Sequence, residues 1–500
     1  MSKIKLKVLP AMMLAACTSF SLAEPPTHVE PTPRERAAEL SSVPWMETIE
    51  KEIPPLAHPR GERWPMIMQH GVGTQILPAD RIQMLLARGL TQHLGLDKGS
   101  IEAARALQEA GSPVIIMQGT AGNWPYSLAA DSSAWAHQFD EGYHYKMAGP
   151  GPLGEWHGAC PKMIGGWEAL AEQIRDTLGA FRDAGVTVDA VWMDWEGDPY
   201  PWSQLFKQLE HCKRCREQLP AAVLEDKTQF WAYYWRLYQQ LYGAYLAAPV
   251  REIFPQCSVT NWHIVYSTQT RPLFYFVDNR VMPPSIPPLF SATNPVAYGN
   301  DLFWHAEWRD EYPVDRRHVD QFYTHLLLRQ ISGDAANRLA YAHDVGSFPW
   351  VVRWCQLDGE KEERVPDMSR EAYREALRHL WLRGIDGMQV FNAYTQDYEE
   401  LALLELQDAV QAYDQILEHR EFLEAGEVMN LEVPEAQDDG VFWSGLRLGE
   451  RAVLRLSSQG EQAARVELEP WSGHRIELEA PTDGRTYLLG LIEGQVRVLE

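Results

Sequence analysis

Asp194 and Glu196 stand one residue apart at the end of an apolar run, Val191-Trp192-Met193, and are followed by Asp198, Tyr200 and Trp202. On a strand alternate residues share a face, so Trp192, Asp194 and Glu196 point one way and Met193 and Trp195 the other. Two carboxylates one pleat apart are about 6–7 Å apart at Cα, near enough to share a proton or one group of a substrate. Their repulsion and the flanking tryptophans should raise one pKa, which makes a general acid usable near neutral pH. The plainer alternative is that both acids cap the strand and bind the next loop's backbone or an arginine. No histidine lies near enough in sequence to favour a metal, and no cofactor is expected.

Such a pair can act only if a framework holds the strand end open. Short apolar runs at 64–72 (WPMIMQHGV) and 113–119 (PVIIMQG) read as strands, with helical periodicity at 101–110 between them. A helix over 167–184 stops at Gly185 and gives way to a buried strand over 186–193. A long aromatic helix over about 228–253 leads to a strand over 258–266. Further strands are expected at 339–342 (LAYA) and 387–394 (GMQVFNAY), with a helix over 369–382 between them and a closing helix over 401–420. Strand then helix, repeated, is the pattern of a parallel α/β fold, and its length suits a (β/α)8 TIM barrel over residues 63–424. Beyond it, residues 425–500 carry short alternating strands separated by Gly, Asp and Pro, a small antiparallel, sandwich-like β domain.

In a barrel the ends of such strands form the mouth where chemistry is kept. Flat sugar C–H faces suit aromatic rings and sugar hydroxyls suit short polar groups. Trp124 and Tyr126, Trp192, Asp198, Tyr200 and Trp202, Asn261 and Trp262, Trp304, and Asn392 with Tyr394 supply both near the expected strand ends, and the chain has 19 tryptophans. These residues predict a carbohydrate-binding cleft. His70, His93 and His343 are assigned hydrogen-bonding or structural roles.

The stretch Val191-Trp192-Met193-Asp194-Trp195-Glu196 resembles the Asp-x-Glu signature on strand 4 of the substrate-assisted glycosidases, the family 18 chitinases and the hyaluronidase family. Of the chitinase pattern Asp-x-x-Asp-x-Asp-x-Glu the chain keeps Asp189, Asp194 and Glu196 and carries Trp192 at the second Asp. That departure favours the hyaluronidase-like form, which has an apolar residue there. The resemblance implies that Glu196 protonates the leaving oxygen and later activates water, while Asp194 orients a 2-acetamido group that acts as nucleophile. It also implies a tyrosine on the acetamido oxygen, for which Tyr266 and Tyr341 are candidates. A conventional retaining glycosidase would instead need a second carboxylate about 5–5.5 Å from the first. Asp344 is the best partner for that mechanism, with Asp278 and Glu307 behind it.

The formal charge of −24 excludes a nucleic-acid or anionic-lipid partner that needs a basic stripe. There is neither a phosphate loop between strand and helix nor a nucleophile elbow. Lys3, Lys5 and Lys7 precede a short apolar stretch, which reads as an export signal over residues 1–23. Leu14-Ala15-Ala16-Cys17 also resembles the bacterial lipobox, with Cys17 as a lipidated mature N-terminus and the membrane reached only through that lipid. Residues 24–62, rich in Pro, Glu and Arg, are expected to be a tether. Cys212 and Cys215 have the spacing of half a zinc site but no second pair, so a local disulfide or packed thiols are expected. The rival of another class is a glycan-binding surface lipoprotein on a barrel that has lost its chemistry.

Overall fold

The computed structural model describes residues 44–68, 76–119, 138, 140–141, 162, 164–194, 210–261, 288–298, 316–341, 344–353, 368–391, 399–434 and 440–499. Within them, eight parallel strands form a ring. β1 (Met66–Met68) pairs with β2 (Leu90–Gln92, continued as Leu94–Gly95), and β2 with β3 (Ile115–Gly119). β4 (Ala190–Asp194) lies between β3 and β5 (Ser258–Asn261). β5 meets β6 (Ala292–Thr293 and Val296–Tyr298) through the Ser291 amide, which donates to the Val259 carbonyl at 3.1 Å. β6 pairs with β7 (Gly346–Ser347 and Trp350–Val352), β7 with β8 (Gln389–Val390), and β8 with β1, which completes the barrel.

β1, β3 and β4 are apolar on both faces because both are covered. Val191 and Met193 of β4 face the outer core, while Ala190 and Trp192 belong to a separate interior cluster with Ile67, Ile115, Ala292 and Phe348. The helices supply the outer layer: α1 (Pro44–Glu52), α2 (Ala79–Ala87), α3 (Ile101–Glu109) and α4 (Ile164–Asp183) in the first half. α4 buries Trp167, Leu170, Ile174, Leu178 and Phe181 at helical spacing, and Gly185 at φ +77° turns the chain into β4. The second half carries α5 (Lys213–Gln218), α6 (Ala221–Glu225), α7 (Lys227–Tyr242), α8 (Ala248–Ile253), α9 (Arg316–Tyr341), α10 (Arg370–Trp381), α11 (Glu399–Leu417) and α12 (Arg420–Ala425). A π-helical stretch, Gly243–Ala247, joins α7 to α8, so the long aromatic helix runs unbroken as expected. α10 starts on Ser369, whose Oγ accepts from the Ala372 amide at 3.2 Å.

The antiparallel domain holds β9 (Glu427–Val428), β10 (Val441–Leu448), β11 (Arg451–Ser458), β12 (Ala464–Trp471), β13 (His474–Ala480), β14 (Arg485–Ile492) and β15 (Gln495–Val498). One sheet runs β9-β10-β11-β14-β15, and the β12–β13 hairpin packs on it around Leu454, Leu456, Leu468, Leu478 and Leu489. Its junction with the barrel joins Phe442, Leu446 and Val453, which lie in the barrel's outer core, to a buried polar cluster. His379 of α10 meets Ser444 Oγ at 2.9 Å and Ser457 Oγ at 3.0 Å, and Arg383 donates to Ser444 Oγ and to the carbonyls of Glu432 and Trp443.

Two expectations are corrected. The tether does not extend to residue 62: Pro44–Glu52 is helical and buries Trp45, Met46 and Ile49 in the barrel's outer core. Arg88 fastens that helix by donating to the carbonyls of Glu50 and Ile53. The run at 339–342 is not a strand, because Tyr341 closes the 26-residue helix α9. Leu339 is exposed on that helix, so a short apolar run was read with the wrong period.

Candidate active site

β4 is the fourth strand of the ring, and its alternation decides which residues look inward. Ala190 and Trp192 are interior, so Asp194, paired with Gly119 of β3, falls on the interior register at the C-terminal end of the strand. Asp189, at the opposite end, is structural: its Oδ2 accepts from the Val114 amide at 2.7 Å, and burial raises its pKa.

The side chain of Asp194 and all of Glu196 lie outside the described residues. So do Asp198, Tyr200, Trp202, Trp124, Tyr126, Trp262, Tyr266, Asp278, Trp304, Glu307, Asn392 and Tyr394, together with His70 and His343.

Four candidates have described positions, and each departs from its expected role. Trp192 is 1% exposed, with its ring 6.3 Å from Trp64 and 5.4 Å from Phe348 between centroids. Its ring is occupied by these contacts inside the barrel and offers no face to a sugar. Asn261 pairs with Met193, whose side chain is in the outer core, so alternation turns Asn261 away from the interior and leaves Thr260 facing it. Asp344 precedes β7 and is exposed, which puts it at the N-terminal end of the barrel, across from Asp194. Tyr341 ends α9 at that same lower end. Neither can share a substrate with Asp194. Both errors follow from reading LAYA as a strand whose end would have been at the mouth.

Cys212 and Cys215 are buried thiols in the outer core, the packed-thiol alternative, and Cys212 Sγ accepts from the Gln138 amide at 3.4 Å. Among the described residues no group of His, Cys, Asp and Glu could hold a metal.

Two buried ionisable groups stand out, His93, to which the sequence assigned a hydrogen-bonding or structural role, and Glu405, which it passed over. His93 of β2 is 1% exposed, neither ring nitrogen has a hydrogen-bond partner in the protein, and burial pushes its pKa down to about 4. It is a neutral imidazole. Glu405 of α11 accepts from the Arg353 amide at 2.7 Å, just past the end of β7, and from Tyr373 Oη at 3.1 Å. Burial pushes Glu405 up to about 8. It stays behind the barrel wall, where it anchors the chain leaving β7.

A cleft of about 920 Å³ opens at the N-terminal end, lined by Arg63, Arg251, Ser258, Asp386 and Arg420 among others. Its place at the starts of β5, β7 and β8 sets it away from the end where barrels of this type carry their chemistry.

The fold therefore defines the chain as a (β/α)8 barrel with a C-terminal antiparallel domain, and that assignment rests on the strand pairing itself. No family model matches the sequence, and no curated protein does. Among solved structures, α-L-fucosidase isoenzyme 2 from Paenibacillus thiaminolyticus is similar with a TM-score of 0.46 and 10% identity, over 73% of this chain and 51% of the fucosidase. The chain thus spans about half the length of that enzyme. A noncanonic maltogenic α-amylase from Thermotoga neapolitana gives 0.44 and 11%, over 85% of this chain and 96% of the amylase. The debranching enzyme of Nostoc punctiforme gives 0.41 and 9%, over 82% and 88%.

Proposed function

We propose that the chain is an exported glycoside hydrolase whose catalytic centre lies at the C-terminal mouth of the barrel. Glu196 is the acid/base and Asp194 its essential neighbour, in a retaining mechanism at 2-acetamido sugars. The observation that carries this reading is the register of β4. Ala190 and Trp192 are interior, and the alternation that continues to Asp194 at the C-terminal end of the fourth strand supports the Asp-x-Glu reading. Asp194 orients the acetamido group whose carbonyl oxygen attacks the anomeric carbon, and Glu196 gives its proton to the leaving oxygen and then takes one from water. The aromatic residues of the loops after the strands would line the cleft.

The test is a screen of protein lacking residues 1–23 against glycans with and without 2-acetamido sugars, beside Glu196→Gln and Asp194→Asn. Cleavage confined to acetamido sugars and lost in both variants supports the reading. Cleavage of plain hexosides equally would move the nucleophile to another carboxylate, Asp278 or Glu307. Sugar binding without turnover would make the chain a glycan-binding protein. Export belongs to the same proposal: mass spectrometry of the mature protein should find either lipidated Cys17 or an N-terminus after Ala23.

A further inference from the structure

Each interior level of a (β/α)8 barrel takes four side chains from alternate strands. Stepping along the observed pairings places His93 of β2, Trp192 of β4, Asn294 of β6 and Gln389 of β8 on one level. Below it lie Ile67, Ile115, Thr260 and Phe348 of the odd strands. Contacts agree with that placement. Asn294 Nδ2 and Gln389 Nε2 both donate to the Phe348 carbonyl, at 2.9 and 3.3 Å, and the Trp192 ring packs on the Phe348 ring.

All four residues of this level are polar or carry a polar atom, and all are at most 1% exposed. Both nitrogens of His93, Nε1 of Trp192, Oδ1 of Asn294 and Oε1 of Gln389 have no hydrogen-bond partner in the protein. Thr260 Oγ1 on the level below and Trp350 Nε1 on the level above are in the same position. Buried polar atoms in folded proteins are almost always partnered, by protein or by ordered water. Seven such atoms gathered around one axis are not scattered exceptions.

We propose that this column is an internal binding site for a hydrogen-bonded cluster of water molecules, running along the barrel axis from Thr260 past His93, Asn294 and Gln389 to Trp350. The set demands a neutral hydroxylic occupant. Trp192 and Trp350 only donate, the Asn294 and Gln389 oxygens only accept, and Thr260 and a neutral imidazole do both, with no charged side chain among them. Water meets every one of these demands, since each molecule donates twice and accepts twice, and a cluster of that kind is stable where two to four polar partners converge. The proposal does not rest on the acid pair, and its test does not depend on sugar turnover.

The experiment pairs a high-resolution crystal structure with thermal unfolding of Thr260→Val and Thr260→Ser. Valine keeps the shape and removes a hydroxyl that touches no protein group. In a hydrated column it leaves a water short of a partner and lowers the unfolding midpoint by roughly 1–3 °C, and serine recovers most of that. Ordered water within hydrogen-bond distance of Thr260 Oγ1 and His93 is the expected density. A dry interior with valine neutral or stabilising would overturn the proposal, as would protein groups found bonded to these atoms. Loss of hydrolytic activity, or its absence from the start, would leave both readouts unchanged.

Discussion

Glu375 of α10 grips Arg455 of β11 with both carboxylate oxygens, Nε to Oε1 at 2.8 Å and Nη2 to Oε2 at 2.5 Å. The same carboxylate lies 3.3 Å from His379 Nε2 and bonds Arg378 at 2.9 Å. One acid from the barrel's helical layer thereby ties the antiparallel domain to the barrel.

Burial opposes the charge on Glu375, but His379 and Arg455 overcome it and hold the carboxyl down at about 2. A depressed carboxylate stabilises the fold fully above its unfolded pKa, 4.5, and that contribution is lost as the pH falls toward 2. His379, lowered chiefly by burial, acts in the same direction from 6.5 downward. Unfolding midpoints measured from pH 7 to pH 2 should fall more steeply for the wild type than for Glu375→Gln. At pH 7 the variant should be less stable by about 3–5 kcal/mol, because Arg455 is left buried without its partner.

Glu405 behaves in the opposite sense. Its folded pKa is raised from 4.5 to about 8, so the native state holds the proton more tightly and its contribution is present below pH 4.5 and lost as pH rises through 8. Glu405→Gln is neutral at every pH and can still accept from Arg353 and Tyr373. Its stability relative to the wild type should therefore rise between pH 5 and pH 9 in denaturant titrations, and a flat difference would contradict the buried, protonated acid.

Trp192→Ala should cost about 3–5 kcal/mol of stability, the range for deleting a fully buried large aromatic. Equilibrium unfolding measures it. A variant as stable as the wild type but weaker in sugar binding would return Trp192 to the role of a binding platform.

Asp344→Asn and Tyr341→Phe test the lower end of the barrel. Each should keep kcat/KM on any cleaved glycan within about twofold, since Asp344 precedes β7 and residue 341 ends α9, both at the N-terminal end of the barrel. A loss of a hundredfold in either variant would place chemistry where the topology forbids it.

The barrel and the trailing β domain were legible because period and punctuation agree there: PVIIMQG and AVWMD are apolar on both faces, and Gly185 separates helix from strand. Alternation along β4 turned Trp192 inward, as found. Two kinds of information were missing. LAYA is too short to show its period, and only the preceding turns of α9 reveal it as a helix end. Sequence spacing also says nothing of levels around a ring, so Trp192 was placed in the cleft and His93 was given an ordinary structural role, whereas strand stagger sets both inside a buried layer. Pro44–Glu52 was hidden by the charged and proline-rich composition around it.

The pleat of β4 also limits how this protein can change. Substitutions alter one side chain at a time, but inserting or deleting a residue between Ala190 and Trp192 would turn every later side chain through the wall of the barrel. Met193 would come to face the axis and Trp192 the helices. Drift in length is therefore expected in the loops that leave the strands, while the spacing from Ala190 to Asp194 should stay fixed in any working descendant.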